Sequence, residues 1–396
     1  MDSVDAAGLG IGDDHPPRVM GVLNVSEESP YDPSVFDDPG EAAAYVDEEL
    51  IGEGADVVDV GLESANKRFD VLTAEQELAR LDTAVETLES TSGDAVWSIE
   101  TRYAEVAEAA LDAGFDMVND IAGFADPALP EVCEARDVAV AKMASPPDLE
   151  RPGAVEETPW AERKGAAWAE RADYVDMVYE ALKQNGLTEK TIVDPAFGGW
   201  SEAQTIEQDR DAFRRLREFR GLGRPMLVSI NRKNFLRSLT GRSTADALAS
   251  SLAATSMAVE RGAHVVRTHD VRETVDAVAV GREFARDRAR GGDPVVEELD
   301  VTTPAEARRH AERLGVDAAI AAESVARIYA VDGVDDDTAA ALAAAAADAG
   351  VGYAPTTGGG CVLAGSVAAF EQLSAGERDA DGALASILSR TRTSGY

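Results

Sequence analysis

The feature that most restricts the fold of this 396-residue sequence is a repeated unit, a short apolar run that ends in polar or charged side chains and passes into a helical pattern. Its clearest instance is Met226-Leu227-Val228-Ser229, which reads as a buried strand and runs into Asn231, Arg232 and Lys233. The same layout predicts strands at 19–25, 55–61, 95–99, 115–118, 138–141, 190–194 and 263–267. Asn24 and Asp59 sit at or near the ends of the first two. Glu100-Thr101-Arg102, Asn119-Asp120 and Lys142-Met143 follow the next three, Asp194 ends the sixth, and Thr268-His269-Asp270 follows the last.

Helical patterns fill the intervals. One spans 41–53 and closes at Gly54, another carries Leu78, Leu81, Val85 and Leu88 as its apolar stripe, and the next turns Val106, Ala109, Ala110 and Ala113 inward. The spacing predicts one long helix over 160–185 and another over 271–286. Strands alternating with helices, with polar residues gathered at the strands' carboxyl ends, predict a (β/α)8 barrel over 19–290. Residues 1–18 form an N-terminal extension, and 291–396, behind the Gly291-Gly292-Asp293-Pro294 linker, a small α+β appendage with a default role in packing or homodimer formation. The rival architecture, an open doubly wound sheet, would need a separate edge for each terminal acid. No GxGxxG follows a strand and no GxxxxGK[ST] occurs, which weakens dinucleotide and nucleotide-triphosphatase readings. Gly358-Gly359-Gly360 lacks a following lysine and reads as a turn.

Charge narrows the partners. Asp and Glu number 74 against 37 Lys and Arg, a formal net charge of −37 that repels a phosphate backbone and argues against nucleic acid. Such a surface suits a salt-rich cytoplasm, where ions screen the self-repulsion. Cys133 and Cys361 are too few for a disulfide framework or a metal knuckle. No stretch reads as a membrane span, and the acidic start of the chain does not read as a signal peptide, so a cytoplasmic location is expected.

Individual residues carry chemistry. Gly61, beside Asp59, leaves room for a ligand to approach the backbone. Asn119 with Asp120 offers a carboxamide beside a carboxylate, a pairing able to hold a heterocycle edge. Asp120 and Asp270 are equally placed to cap the helices that follow them. Pro195-Ala196-Phe197-Gly198-Gly199-Trp200 sets glycines and two aromatics next to Asp194.

Seven segments in order carry a resemblance. Met20-Gly21-Val22-Leu23-Asn24-Val25, Asp59-Val60-Gly61-Leu62-Glu63-Ser64, Ser98-Ile99-Glu100-Thr101, Val118-Asn119-Asp120-Ile121, Val193-Asp194-Pro195 with Phe197-Gly198, Asn231-Arg232-Lys233 and Arg267-Thr268-His269-Asp270 together resemble dihydropteroate synthase over about 19–280. The acidic composition suggests a member from a halophilic archaeon. The resemblance implies a pterin-binding TIM barrel that joins 6-hydroxymethyl-7,8-dihydropterin diphosphate to 4-aminobenzoate, releasing diphosphate with the help of Mg²⁺. It implies that Asn119 and Asp194 bind the pterin edge, with Glu100 where the family usually has aspartate. Lys233 would lie over the pterin and the incoming amine, Arg267 and His269 would hold the diphosphate, Asn24 would serve the Mg²⁺ site, and Asp59 would be a rim carboxylate. Lys233, Asp194 and Glu100 are the implied catalytic residues.

The departures cluster in loops. Glu27 to Asp32 replaces the family's Pro-Asp-Ser-Phe-Ser-Asp, Ser64-Ala65-Asn66-Lys67-Arg68 replaces Ser-Thr-Arg-Pro-Gly, and Ala141-Lys142-Met143 replaces Met-His-Met. A lysine that often follows the Gly-Phe-Gly turn is absent from 197–202, and Asn231 stands where the family has serine. These changes leave two further readings: a pterin-binding methyltransferase that works with a corrinoid protein, and a non-catalytic pterin-binding paralogue.

Overall fold

The computed structural model describes residues 1–26, 32–64, 71–146, 148–149, 153–198, 200–380 and 382–392. They divide into two compact units, residues 1–219 with 223–287, and residues 288–396 with 220–222.

The first unit opens with a short antiparallel hairpin, β1 (Val4–Ala6) and β2 (Leu9–Ile11), within a stretch expected only to be an extension. Eight parallel strands follow: β3 (Arg18–Asn24), β4 (Val57–Gly61), β5 (Val96–Thr101), β6 (Met117–Asp120), β7 (Ala139–Met143), β8 (Thr191–Asp194), β9 (Leu227–Val228) and β10 (Val265–Thr268). Their order, β8-β7-β6-β5-β4-β3-β10-β9, is closed by a parallel bridge from Val193 to Met226, where the Val193 amide donates to the Pro225 carbonyl at 2.9 Å. The (β/α)8 barrel expected from the alternation is therefore present, with a short β9.

Strand parity decides which residues face the interior, because successive side chains point to opposite faces. Met20, Val57, Val96, Met117, Ala139, Ala141, Ile192, Leu227 and Val265 share one apolar cluster inside the barrel, mostly near the strands' amino ends. Val4, Ala6 and Ile11 of the hairpin belong to the same cluster, so β1 and β2 close the amino-terminal mouth with apolar side chains. Arg18 fastens this closure by donating Nε to the Gly10 carbonyl at 3.0 Å and pairing with Asp56.

Two helical expectations are corrected by the structure. The predicted 160–185 helix is three helices, Trp160–Lys164, Ala166–Arg171 and Tyr174–Lys183. The first break falls at Gly165, whose φ of +90° no α-helix contains. The second falls at Asp173, which caps the Asp176 amide in a reciprocal capping box and so starts a new helix. The predicted 41–53 helix begins at Pro39 under an Asp38 cap and continues from Val46 to Ile51 as a π-helix, the Gly52 amide reaching back to the Asp47 carbonyl.

The second unit contains the pair β11 (Arg290–Gly291) and β12 (Val296–Glu297), so the expected linker glycines turn a hairpin. Its main sheet is antiparallel, with order β13 (Ala326–Val331), β15 (Cys361–Ser366) and β14 (Gly352–Pro355). Leu342, Leu363, Phe370 and Leu388 form its core with Tyr329. Gly358 to Gly360 lie in the β14–β15 turn, where the Thr356 amide donates to the Gly360 carbonyl.

Candidate active site

The residues at the carboxyl ends of the strands inherit the parity of the apolar cluster below them. Counting by twos from Met20, Val57, Val96, Met117, Ile192 and Val265 leads to Asn24, Asp59 and Gly61, Ser98 and Glu100, Asn119, Asp194, and Arg267. The sheet register places Asn24, Gly61, Glu100 and Asn119 in one row across β3 to β6. Gly61 leaves Asn24 its place in that row, since a Cβ there would lie 2.9 Å from Asn24 Oδ1 and push the amide aside.

Asp59 is the hub of the interior. Fully buried, it accepts from Ser98 Oγ at 2.7 Å, Asn119 Nδ2 at 2.9 Å and Arg267 Nε at 2.7 Å. Arg267 sends Nη2 to Glu100 Oε2 at 2.7 Å, so its guanidinium is bracketed by two carboxylates. That commitment explains how one cation remains inside the barrel. Burial raises the Glu100 carboxyl, with Arg267 opposing the rise. Burial also pushes Asp194 up to about 6, against the Ala196 amide that donates to it at 2.8 Å and the nearby charges of Lys233 and Arg267.

Lys233 reaches this interior from a turn fixed outside it. Arg232, at a left-handed φ of 53°, donates Nε and Nη2 to the two oxygens of Asp270 at 2.8 and 2.7 Å, and Asn231 Nδ2 adds a bond to Asp270 at 2.8 Å. Asp270 therefore anchors the β9 turn, and its side chain makes no cap hydrogen bond to the helix after β10. The turn lays Lys233 across Gly198, with Nζ 5.7 Å from the centre of the Trp200 ring. No hydrogen bond or ion pair to a described residue reaches Lys233 Nζ, and burial together with Arg267 lowers its pKa.

Asn24 and His269 meet through Ser34, which accepts from Asn24 Nδ2 at 3.0 Å and lies 3.2 Å from His269 Nδ1. Burial, reinforced by Arg267, drives His269 down to about 3, so it is neutral at ordinary pH and offers a hydrogen bond rather than a charge.

The matches to known proteins agree with this geometry. The family model described as pterin binding enzyme covers residues 20–269. The dihydropteroate synthase of Escherichia coli (strain K12) is 30% identical over 271 residues, spanning 67% of this chain and 90% of that protein. The chain belongs to the dihydropteroate synthase family. Its similarity to the probable bifunctional folylpolyglutamate synthase/dihydropteroate synthase of Haloferax volcanii is 34% over 295 residues, or 70% of this chain and 32% of the relative. The corresponding Halobacterium salinarum protein is 34% identical over 263 residues and is matched over 31% of its length. The chain thus spans about a third of the length of these two relatives. Among solved structures, the Thermus thermophilus dihydropteroate synthase in complex with 4-aminobenzoate superposes with a TM-score of 0.56 at 28% identity, covering 72% of this chain and all of that one.

Within this family member, Asp120, offered beside Asn119 for a ligand edge, and Lys142 at the end of β7 both point away from the interior. Asp120 has the opposite parity to Asn119, is fully buried outside the strand circle, and accepts from the Ala122 and Phe124 amides. It anchors a loop and does not pair with Asn119 on a ligand edge. Lys142 also faces outward: Nζ donates to the Leu182 carbonyl at 3.0 Å, the Gly186 carbonyl at 2.7 Å and the Gln184 carbonyl, closing the end of the Tyr174–Lys183 helix. Ser34 and Ser98 belong to the site without having been singled out for it, and Gly198 and Trp200, expected beside Asp194, also pack against Lys233. Parity between Val96 and Glu100 was a usable signal for Ser98; the other three depend on loop paths. Of the departures at 27–32 and 64–68, residues 27–31 and 65–68, including Lys67 and Arg68, lie outside the described residues.

The donor set restricts any metal. Among the described residues no group of three or more His, Cys, Asp or Glu is arranged to hold an ion. Asn24 supplies one amide oxygen, which fits Mg²⁺ carried chiefly by phosphate oxygens and water, and does not fit a dedicated protein cage.

Proposed function

We propose that this protein condenses 6-hydroxymethyl-7,8-dihydropterin diphosphate with 4-aminobenzoate, giving 7,8-dihydropteroate and diphosphate in folate biosynthesis. The observation that carries the reading is Lys233: an ammonium group without a hydrogen-bond partner among the described residues, held over a barrel interior lined by Asp59, Glu100, Asn119 and Asp194. Unspent donors beside buried carboxylates suit a flat heteroaromatic with donors along one edge and acceptors along another.

In the reaction the arylamine nitrogen lone pair attacks the pterin methylene carbon while the carbon–oxygen bond to diphosphate breaks. The nitrogen then loses a proton to solvent or diphosphate. Positive charge develops on the pterin methylene and negative charge on the leaving oxygens. Asp194 and Asn119 hold the pterin edge, and the Asp194 and Glu100 carboxylates stabilise the cationic side. Arg267, already oriented by Asp59 and Glu100, presents positive charge toward the diphosphate, and neutral His269 donates a hydrogen bond. Lys233 orients the pterin and the amine. Mg²⁺, when bound, supplies Lewis-acid stabilisation of the leaving group, with Asn24 as this chain's ligand to it. An arylamine is nucleophilic without a protein base, so the mechanism requires no Ser or Cys nucleophile.

A net charge of −37 and similarity to proteins of Haloferax and Halobacterium support a salt-rich cytoplasmic setting in a halophilic archaeon. No helix among the described residues is long and apolar enough to cross a membrane. The deciding experiment incubates pterin diphosphate and 4-aminobenzoate with the protein in concentrated KCl and follows dihydropteroate and diphosphate together. Equimolar formation of both supports the reading. Tight pterin binding without either product refutes it.

A further inference from the structure

We infer that Arg102 is a positioning residue which fixes the wall of the active site above the pterin floor and thereby sets affinity for the second substrate. The inference rests on the proposed condensation for its substrate assignment. Its structural basis is independent of that assignment.

Arg102 lies just beyond β5, is only 1% exposed, and divides its guanidinium between two other loops. Nη2 donates to Glu63 Oε1 at 2.8 Å, on the loop after β4, and Nη1 donates to the Leu149 carbonyl at 2.8 Å, on the loop after β7. One side chain thus ties together the rims of strands that span β4 to β7 in the barrel order.

The β4 loop is held at both stems. Glu63 Oε2 accepts from the Leu72 amide at 3.3 Å, and Tyr103 Oη donates to the Leu72 carbonyl at 2.6 Å. From the helix Ala74–Ser90, Arg80 donates to the Leu62 carbonyl at 2.8 Å, while Glu77 accepts from Thr101 Oγ1. Arg102 stands at the centre of this arrangement and is the cation that pairs with buried Glu63. A planar fork with two separated donor faces suits the task, whereas lysine offers a single point charge.

Function follows from height in the barrel. Asn119 and Asp194, assigned to the pterin edge, project from the strands and are held by Asp59 and the Ala196 amide, while Glu100 is held by Arg267; none of these partners shares a hydrogen bond with Arg102. A second substrate arriving above that floor is bounded by loops. Loosening the Arg102 wall should therefore weaken the second substrate and spare the first.

The test compares Arg102→Met and Arg102→Lys with the wild type by steady-state kinetics, calorimetry with pterin diphosphate, and amide hydrogen exchange. Arg102→Met is expected to raise the KM for 4-aminobenzoate by about tenfold, leaving the Kd of pterin diphosphate within about twofold. Exchange should accelerate at 71–73 and 148–149 but not at 117–122 or 191–196, and Arg102→Lys should fall between. Glu63→Gln in the Arg102→Met background removes the stranded charge and should recover part of the change at 71–73 but none at 148–149. Equal losses in pterin affinity, kcat and 4-aminobenzoate KM would reduce Arg102 to general support of the fold and overturn the inference. Unchanged exchange at both stems would also overturn it, whether or not the wild type turns over. Failure of the wild type to couple the substrates counts against the proposed reaction. In that case the exchange pattern and direct titration with 4-aminobenzoate still decide the role of Arg102.

Discussion

Lys233 and Gly198 are in such close apposition that a Cβ on the glycine would lie 2.8 Å from Lys233 Cδ and 2.9 Å from Nζ. The glycine also has a φ of +113°, a conformation side chains rarely adopt. Gly198→Ala should cost about 1–3 kcal/mol of stability through strain and lower turnover by about tenfold or more by displacing the ammonium. Thermal melts and kcat, measured on the same preparation, check both; a fully active variant would show that Lys233 has freedom the packing does not suggest.

Lys233→Met retains much of the apolar stem and removes a charge that has no hydrogen-bond partner among the described residues. The expected result is a folded protein with turnover reduced by about 10²–10⁴. Stability should hold or rise, because burial disfavours this ammonium. Equal kcat/KM in variant and wild type would remove Lys233 from the mechanism.

Much of the interior was legible because strand ends carry period-two information. Asn24, Asp59, Glu100, Asn119, Asp194 and Arg267 are each an even number of residues from an apolar cluster member on the same strand. The same count turns Asp120 and Lys142 outward, where their suggestive chemistry serves loop and helix ends. What the chain could not announce was long-range pairing. Asp270 looks like a helix cap until Arg232, 38 positions earlier, arrives beside it, and the Arg102–Glu63 pair joins residues 39 apart. The 160–185 region failed for a local reason: Gly165 and the Asp173 box interrupt a pattern that looked continuous.

Asp194 yields a pH prediction. Its folded pKa is raised from 3.8 to about 6, so its contribution to stability is fully present below 3.8 and is lost as pH rises through about 6. Ligand binding runs the other way, since the pterin edge calls for the ionised carboxylate. Affinity for pterin diphosphate should fall as pH drops below about 6. Asp194→Asn should weaken binding at about pH 7.5 by about 2–5 kcal/mol and flatten that dependence. Calorimetry at several pH values provides the check.

Lys142 gives a stability prediction separate from catalysis. Burial lowers it from 10.5 to about 7, so between those values the unfolded chain binds more protons than the folded one. Stability should rise with pH across that window, and its favourable contribution should disappear as pH falls through about 7. Lys142→Met should remove the slope and cost about 1–3 kcal/mol by leaving the Leu182, Gln184 and Gly186 carbonyls short of a donor. Denaturant titrations from about pH 7 to 10 measure both.

The single amide oxygen of Asn24 predicts a metal dependence that appears only with substrate. Mg²⁺ alone should bind weakly, while pterin diphosphate should bind more tightly with Mg²⁺ than in EDTA. Asn24→Ala should narrow the difference. Equal affinity in EDTA would remove the ion from the site.

The β1–β2 hairpin turns the barrel from a tube into a cup. With Val4, Ala6 and Ile11 packed into its base, the amino-terminal end of the strand interior is filled among the described residues, and its polar groups face the carboxyl-terminal rim. Two guests stacked in a cup cannot arrive in either order: whichever lies against the base must enter before the other covers it. The proposed pterin, seated against Asn119 and Asp194, would therefore lead, and the arylamine would follow as its lid. A dead-end vessel thereby writes a queue into the chemistry, and saturating arylamine would obstruct turnover if it occupied the rim too early.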